Sequence, residues 1–230
     1  MDIFFILVEP AVPENVGATA RAIKTMSFNE LRLVNPCDYL SKEARMLAHG
    51  SGEILESSSV FSSLEEAITD IDFVIGTSAK PRRVKHDLYP VDQLCNIIKN
   101  KGNTINSIGV VFGREEYGLS NKEAQLCDII SYIPMAARYP SLNLSHAVMI
   151  FAYELLKMNA GGHPGSSIKE GDLSFRAVQG QLENILSSLG IKSNETLYNR
   201  ILERINIAGE EDLHLLCSVG KYFERSKTKD

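Results

Sequence analysis

The chain has 230 residues, 44% hydrophobic and 23% charged, with a formal net charge of -5. That is enough apolar matter for a well-filled core, and too little positive charge for a histone-like, wholly electrostatic nucleic-acid binder. No apolar run approaches the roughly 18 residues that span a bilayer, and the start, Met1-Asp2-Ile3-Phe4, carries an acid where a secretory signal carries basic residues, so a cytoplasmic protein with no membrane segment is expected.

In chain order, the first two-thirds alternates short apolar runs rich in β-branched and aromatic residues with stretches of helical spacing, the pattern of an α/β domain with a mainly parallel sheet and helices on both faces. Strands are predicted at Ile3 to Val8, Leu31 to Val34, Phe73 to Thr77, Ile108 to Phe112 and Ile129 to Ile133, each nearly all apolar, as befits strands covered on both sides. Between them, Asn15 is placed to cap a helix over Val16 to Met26. Ser63 with Glu66, and Ser120 with Glu123, read as capping boxes, and Pro90 suits the first turn of a helix ending near Lys99.

After Lys157 the turn-rich stretch Asn159-Ala-Gly-Gly-His-Pro-Gly-Ser-Ser167 reads as a linker. Beyond it Leu173, Val178, Leu182, Ile185, Leu186 and Leu189 recur at helical intervals until Gly190; Leu197, Ile201, Leu202 and Ile205 repeat the pattern, as do Leu213, Leu215, Leu216 and Val219. The expected organisation is a domain over 1–158, a linker over 159–167 and a small all-helical extension over 168–230. Cys37, Cys95, Cys127 and Cys217 lie far apart and the five histidines form no His-Glu-x-x-His pattern, which points to buried, reduced thiols and no metal site.

Three segments break the pattern of a purely structural domain, and all lie where strands run out, the place at which open α/β sheets bind ligands. In Pro13-Glu-Asn-Val-Gly-Ala-Thr-Ala-Arg21 a capped helix start carries small residues and then an arginine; on spacing alone the plainer account, with Gly17 allowing tight packing and Arg21 solvated, stands ahead. Gly113-Arg-Glu-Glu-Tyr-Gly-Leu-Ser120 is a glycine-bounded loop with Arg114, Glu115 and Glu116, open to reading as a ligand loop or as an ordinary turn with a surface ion pair. It is neither a Walker loop nor the Gly-x-Gly-x-x-Gly of nicotinamide dehydrogenases. Ile133-Pro-Met-Ala-Ala-Arg-Tyr-Pro-Ser-Leu-Asn-Leu-Ser145 leaves a strand and enters a helix at Ser141 and Asn143, residues suited to offering hydroxyl and amide groups to a ligand, although Ser141 also suffices as a cap. A fourth segment, Gly76 to His86, sets Lys80, Arg82, Arg83 and Lys85 beside Pro81, readable as solvated charge or as phosphate contacts.

In this order the segments resemble the three motifs of the SpoU/TrmH-type ribose methyltransferases of the SPOUT superfamily: Asn-x-Gly-x-x-x-Arg (Asn15 to Arg21), Phe-Gly-x-Glu-x-x-Gly-Leu (Phe112 to Leu119) and Ile-Pro-Met…Ser-Leu-Asn-x-Ser/Ala-x-Ala (Ile133 to Ala147). The likeness covers about residues 3 to 158. Glu9, Lys24-Thr-Met26, Val34-Asn-Pro36, Gly76-Thr-Ser-Ala79 and Tyr139-Pro-Ser-Leu-Asn143 resemble the TrmJ-like branch, and His49-Gly-Ser-Gly-Glu53 with the helical tail resembles its LasT-like members.

The resemblance implies a deep trefoil knot, against the general rule that chains do not thread, and a homodimer with active sites at the subunit interface. It implies methyl transfer from S-adenosylmethionine, released as S-adenosylhomocysteine, to a ribose 2′-hydroxyl in RNA, with tRNA and anticodon-loop nucleotide 32 as the expected target. Ribosomal RNA, or a catalytically silent RNA-binding module that keeps the pocket, stays open as an alternative. By the same likeness the cofactor is held around Thr77, Ser78, Ala79, Gly113, Ile133, Ser141, Leu142 and Asn143, and the catalytic set is Arg21, Asn15, Glu115 and Ser141. RNA contacts are expected from Arg21, Lys80, Arg82, Arg83 and Lys85. A guanidinium stays protonated at any physiological pH, so Arg21 is expected to clamp phosphate and stabilise alkoxide charge rather than act as a base.

Overall fold

Parallel strands form where the sequence is apolar and β-branched. A computed structural model of the chain, which describes residues 1–79, 85, 87–136, 141–159 and 173–227, contains β1 (Asp2–Val8), β2 (Glu30–Val34), β3 (Ser59–Phe61), β4 (Phe73–Thr77), β5 (Leu88–Pro90), β6 (Ser107–Phe112) and β7 (Ile129–Tyr132). They make a seven-stranded sheet in the order β3-β2-β1-β6-β4-β7-β5, every pairing parallel. The five predicted strands appear within one residue of their expected ends. The two that the sequence does not predict, β3 and β5, are three-residue strands at the sheet's edges, too short and too exposed to carry a period-2 signal.

Between the strands lie α1 (Pro13–Thr25), α2 (Lys42–Leu47), α3 (Gly52–Ser57), α4 (Leu64–Ala67), α5 (Leu94–Asn100) and α6 (Asn121–Leu126), and α7 (Leu144–Asn159) follows the last of them. Because strand side chains alternate, each central strand feeds two cores. Ile6 and Val8 of β1 join Val74, Val111 and Ile130 under Leu64 and Ala67 of α4 and Ala124 of α6. Phe5 belongs to the other face, where its ring stacks 6.5 Å from Phe112 and Phe112 meets Phe151 of α7 edge-on at 5.4 Å. Each such buried aromatic stabilises the fold by about 1.5–3 kcal/mol.

α1 packs against both α2 and α7. A Cβ on Gly17 would lie 2.0 Å from the carbonyl oxygen of Ala44, so Gly17 is what lets α1 and α2 touch backbone to backbone. On the opposite face Arg32 of β2 is buried against the Phe4 ring, 4.0 Å from its centroid, and forms a two-pronged bond to Asp70 at 2.6 and 2.8 Å.

The described residues of Asp2–Cys95 and Ser107–Pro164 form one unit; those of Asn96–Asn106 and Gly165–Asp230, with Met1, form a second. In the second unit α8 (Phe175–Ser188) packs with α9 (Glu195–Ile207) and α10 (Glu210–Lys227). Phe175, Val178, Leu182 and Leu186 make its buried stripe, Gly190 ends the run at φ 73°, and the Lys101 ammonium sits 4.0 Å over the Phe175 ring.

Several expectations are corrected. α1 begins at Pro13 after Val12, so Asn15 lies inside the helix rather than capping it. Ser63 does cap α4, but the Glu66 carboxylate is engaged chiefly by the Ser62 backbone N–H and hydroxyl and only weakly by the Ser63 backbone. Pro90 precedes a 3-10 turn (Val91–Gln93) that leads into α5. Leu215 and Val219 are exposed on α10, and Leu197 is exposed on α9, because helical periodicity marks an apolar face without saying what covers it. Of the cysteines Cys127 is buried, whereas Cys37, Cys95 and Cys217 are only partly so.

Candidate functional site

The chain leaves β1, β4, β6 and β7 at their carboxyl ends on one edge of the sheet, with β1 and β6 at its centre. There it opens a cleft of about 470 Å³, a size ordinary for a small-molecule site. Thr77, Ser78 and Ala79 line it after β4, Gly113 to Gly118 after β6, Ile133 and Met135 after β7, and Ser141 and Leu142 before α7, with Phe112, Leu144, Ala147 and Phe151 beside them. All the residues predicted to hold a cofactor thus meet in one cleft except Asn143, which stands next to it.

The loop after β6 is shaped by its two glycines. Gly118 has φ 66°, and the backbones of Arg114 and Gly118 exchange hydrogen bonds, Arg114 N–H donating at 3.3 Å and Gly118 N–H at 2.8 Å. A Cβ on Gly113 would come within 2.1 Å of Gly118 C and Leu119 N, so only glycine lets this loop fold back on itself.

Arg114 locks the loop to its surroundings. Its guanidinium donates to Glu9 at 2.8 Å and forks onto both oxygens of Glu123 at 3.0 Å. Glu123 also closes the predicted capping box with Ser120 at the start of α6. Glu9 holds a left-handed φ of 46° just past β1, a conformation a non-glycine residue rarely keeps unless its surroundings impose it. The loop is thus tied to the end of β1 by an exposed ion pair and to α6 by a part-buried one. Arg114, Glu9 and Glu123 are not among the predicted site residues; Ser120 and Glu123 carry a local signal, but Glu9 lies 105 positions from its partner.

Burial pushes the Glu123 carboxyl up, and the bonds from Arg114 and Ser120 more than offset it, leaving it below the usual range. Its hydrogen bonds to Glu9 and then to Glu123 hold the Arg114 guanidinium above its own. A depressed carboxyl contributes stability that is complete above the unfolded value, about 4.3 for glutamate, and is lost as pH falls through the lower folded value. Glu123→Gln should therefore cost about 1–2 kcal/mol at neutral pH, and the gap to the native chain should begin to narrow below about pH 4 and shrink further as the pH falls. Denaturant unfolding of both chains from pH 7 to pH 2 checks this; a gap independent of pH refutes it.

Glu115 points the other way, to the start of α1. Its carboxylate accepts from the backbone N–H groups of Ala11 at 3.1 Å and Val12 at 3.3 Å and from Asn15 Nδ2 at 3.0 Å. Asn15 Oδ1 in turn accepts from Asn143 Nδ2 at 2.8 Å, and Asn143 Oδ1 accepts from the Ser145 N–H at 2.9 Å and hydroxyl at 2.7 Å. One polar relay thus ties together the three segments singled out in the sequence. It also corrects two readings: a side chain from a distant loop serves the helix start assigned to Asn15, and Asn143 rather than Ser141 bonds the first turn of α7, leaving Ser141 exposed on the cleft wall.

Arg21 is exposed on α1, outside the cleft wall, and among the described residues nothing engages its guanidinium. Lys85 is half-buried, while Lys80, Arg82 and Arg83 lie outside the described residues. No group of three or more His, Cys, Asp or Glu able to hold a metal ion occurs among the described residues.

A family model described as the SpoU rRNA Methylase family matches residues 2–153. Over its full length the chain is 35% identical to the Escherichia coli protein described as uncharacterized tRNA/rRNA methyltransferase LasT, each covering all of the other. It is 41% identical over 154 residues, 65% of either chain, to the tRNA (cytidine-2′-O-)-methyltransferase TrmJ of Methanocaldococcus jannaschii. Among solved structures, TrmJ from Z. mobilis superposes with a TM-score of 0.66 at 27% identity, covering 97% of this chain and 100% of that one. The SpoU methyltransferase AviRb from Streptomyces viridochromogenes, solved in complex with AdoMet, shares the fold at a TM-score of 0.54 and 20% identity over 70% of this chain and 62% of its own.

Proposed function

Since the chain belongs to the SpoU rRNA methylase family, we propose that it transfers a methyl group from S-adenosylmethionine to a ribose 2′-hydroxyl of RNA, with tRNA as substrate and anticodon-loop nucleotide 32 as the target. The observation that carries this reading is the convergence of three separate segments, 15–21, 112–119 and 133–147, on one cleft and its polar relay. The tRNA 2′-O-methyltransferases named TrmJ among its relatives support the choice of RNA.

The cleft suits such a cofactor. Ala79 and Gly113, which carry at most a methyl group, let a ligand come close to the backbone of the cleft wall. When bound, S-adenosylmethionine supplies a sulfonium methyl as the electrophile. The chain's own task is to align a ribose oxygen for in-line attack and to ease loss of its proton. Arg21 clamps the neighbouring phosphate and stabilises alkoxide charge as it develops. Ser141 contacts the cofactor or the ribose, Glu115 and Asn15 hold the start of the helix that carries Arg21, and the proton leaves to phosphate, water or Ser141.

Arg21 is exposed and stands clear of its own cleft, a placement that fits a site completed across a homodimer interface. The proposal also includes the trefoil knot of the family, a catalytic domain over 1–158 with a linker at 159–167 and a helical extension at 168–230, and RNA contacts from Lys80, Arg82, Arg83 and Lys85. Among the described residues no helix is long and apolar enough to cross a membrane, and a cytoplasmic location belongs to the same reading.

The test is mass-spectrometric nucleoside mapping of tRNA and rRNA from cells with and without the protein, followed by transfer of labelled methyl from the cofactor to the RNA that changes. Loss of one 2′-O-methylated tRNA nucleoside is expected. A change confined to rRNA would move the substrate, and no change with no labelling would leave an RNA-binding module.

A further inference from the structure

We propose that Tyr117 is the platform on which an unpaired base of the RNA substrate stacks at the mouth of the cleft; the inference rests on the RNA methyl-transfer reading above. Tyr117 lines the cleft, yet 74% of it is exposed. A phenol ring left so far in water contributes little to folding, since its apolar faces stay hydrated. The loop that carries it is nonetheless tied down at several points. Gly113 folds against Gly118 and Leu119, the backbones of Arg114 and Gly118 bond each other, and the Arg114 guanidinium is gripped by Glu9 and Glu123.

The neighbouring Glu116 carboxylate, more than burial, holds the phenol above its usual range. Leu142, also exposed and arriving from the segment before α7, lines the same cleft. Two large side chains thus line one opening from two different loops, Tyr117 being much the more exposed of the two.

An exposed aromatic carried on a well-tied loop at the entrance to an RNA-modifying site has a specific use. Proteins read single-stranded RNA by stacking splayed bases on aromatic rings, and the contact tolerates any base because every base has a π face. Tyr117 would therefore select an unpaired, loop nucleotide over a paired one without selecting which base it carries. The alternative occupant of the ring is the adenine of the cofactor. Against it, the cofactor candidates Ala79, Gly113 and Ser141 are small and offer backbone or hydroxyl groups, whereas Tyr117 stands mostly in solvent where a macromolecule would enter.

The experiment compares Tyr117→Ala, Tyr117→Phe and Tyr117→Trp in the full chain. Undermodified bulk tRNA, from cells lacking the protein, and S-adenosylhomocysteine are titrated separately. Tyr117→Ala should weaken tRNA binding roughly 5- to 100-fold and raise the KM for tRNA, with affinity for S-adenosylhomocysteine unchanged within about twofold. The Phe and Trp variants should keep tRNA affinity within about threefold of the native chain, and all three should unfold at the native temperature because the ring is exposed. An Ala variant that binds tRNA normally overturns the proposal, as does one that loses S-adenosylhomocysteine instead. A native chain that binds tRNA without methylating it refutes the proposed reaction alone, and the Ala-to-native binding ratio then still decides the stacking; a native chain that binds no tRNA overturns both.

Discussion

Replacing Arg21 by alanine is expected to lower methyl transfer by roughly 100-fold or more while leaving S-adenosylhomocysteine affinity within about twofold of the native chain. The loss should be that large because the guanidinium is assigned to charge that appears only as the ribose oxygen loses its proton, so the transition state loses a contact that the ground state lacks. Cofactor affinity should survive because Arg21 is not part of the cleft wall. Arg21→Lys should recover only part of the rate, since a point charge replaces a planar fork. The side chain is exposed, with no partner among the described residues, so its removal should leave folding intact. Single-turnover methylation of tRNA, read beside a cofactor titration, separates the two effects. Near-native turnover in the alanine variant would remove Arg21 from the mechanism. A mixture of Arg21→Ala subunits with Asn143→Ala subunits should regain activity if each site draws on two chains.

The second large effect concerns a residue with no side chain. Gly113→Ala adds one methyl group, and its carbon would sit 2.1 Å from Gly118 C and Leu119 N, both backbone atoms that cannot rotate aside. The loop must open, which separates Arg114 from Gly118 and pulls on the guanidinium pairs with Glu9 and Glu123. Overpacking of this kind costs about 1–3 kcal/mol, and because the strain falls on the cleft wall, S-adenosylhomocysteine should bind at least roughly 10-fold more weakly.

Gly180→Ala, on the exposed face of α8 with nothing within 4 Å of the new atom, is the matched control. It should stabilise the chain by about 0.5–1 kcal/mol, because alanine is the better helix former and restricts the unfolded chain. Isothermal titration with S-adenosylhomocysteine and thermal unfolding distinguish the pair. Equal cofactor affinity in Gly113→Ala and the native chain would mean that the loop does not shape the binding site.

Much of this molecule is legible in its amino-acid sequence. Runs such as Ile3 to Val8 and Ile108 to Phe112 are apolar at nearly every position because both faces of a central parallel strand are covered, and that composition is local information. The three motif segments, the capping box of Ser120 and Glu123, and the stop at Gly190 are local too, since each depends on residues a few positions apart.

What tertiary structure decided is which polar group meets which. Asn15 carries a residue type that favours helix caps, yet Glu115, 100 positions away, takes over the start of α1 and frees Asn15 to bond Asn143, 128 positions away. Arg114 could have been solvated; parallel strands bring the ends of β1 and β6 side by side, and so place Glu9 within 2.8 Å of it. Leu215 and Val219 keep helical period and still face water. A side chain's chemistry states what it can bond or bury, and spacing states which face it shares. Whether a partner waits on that face depends on distances between segments remote in sequence, which close only when the sheet brings their strands together.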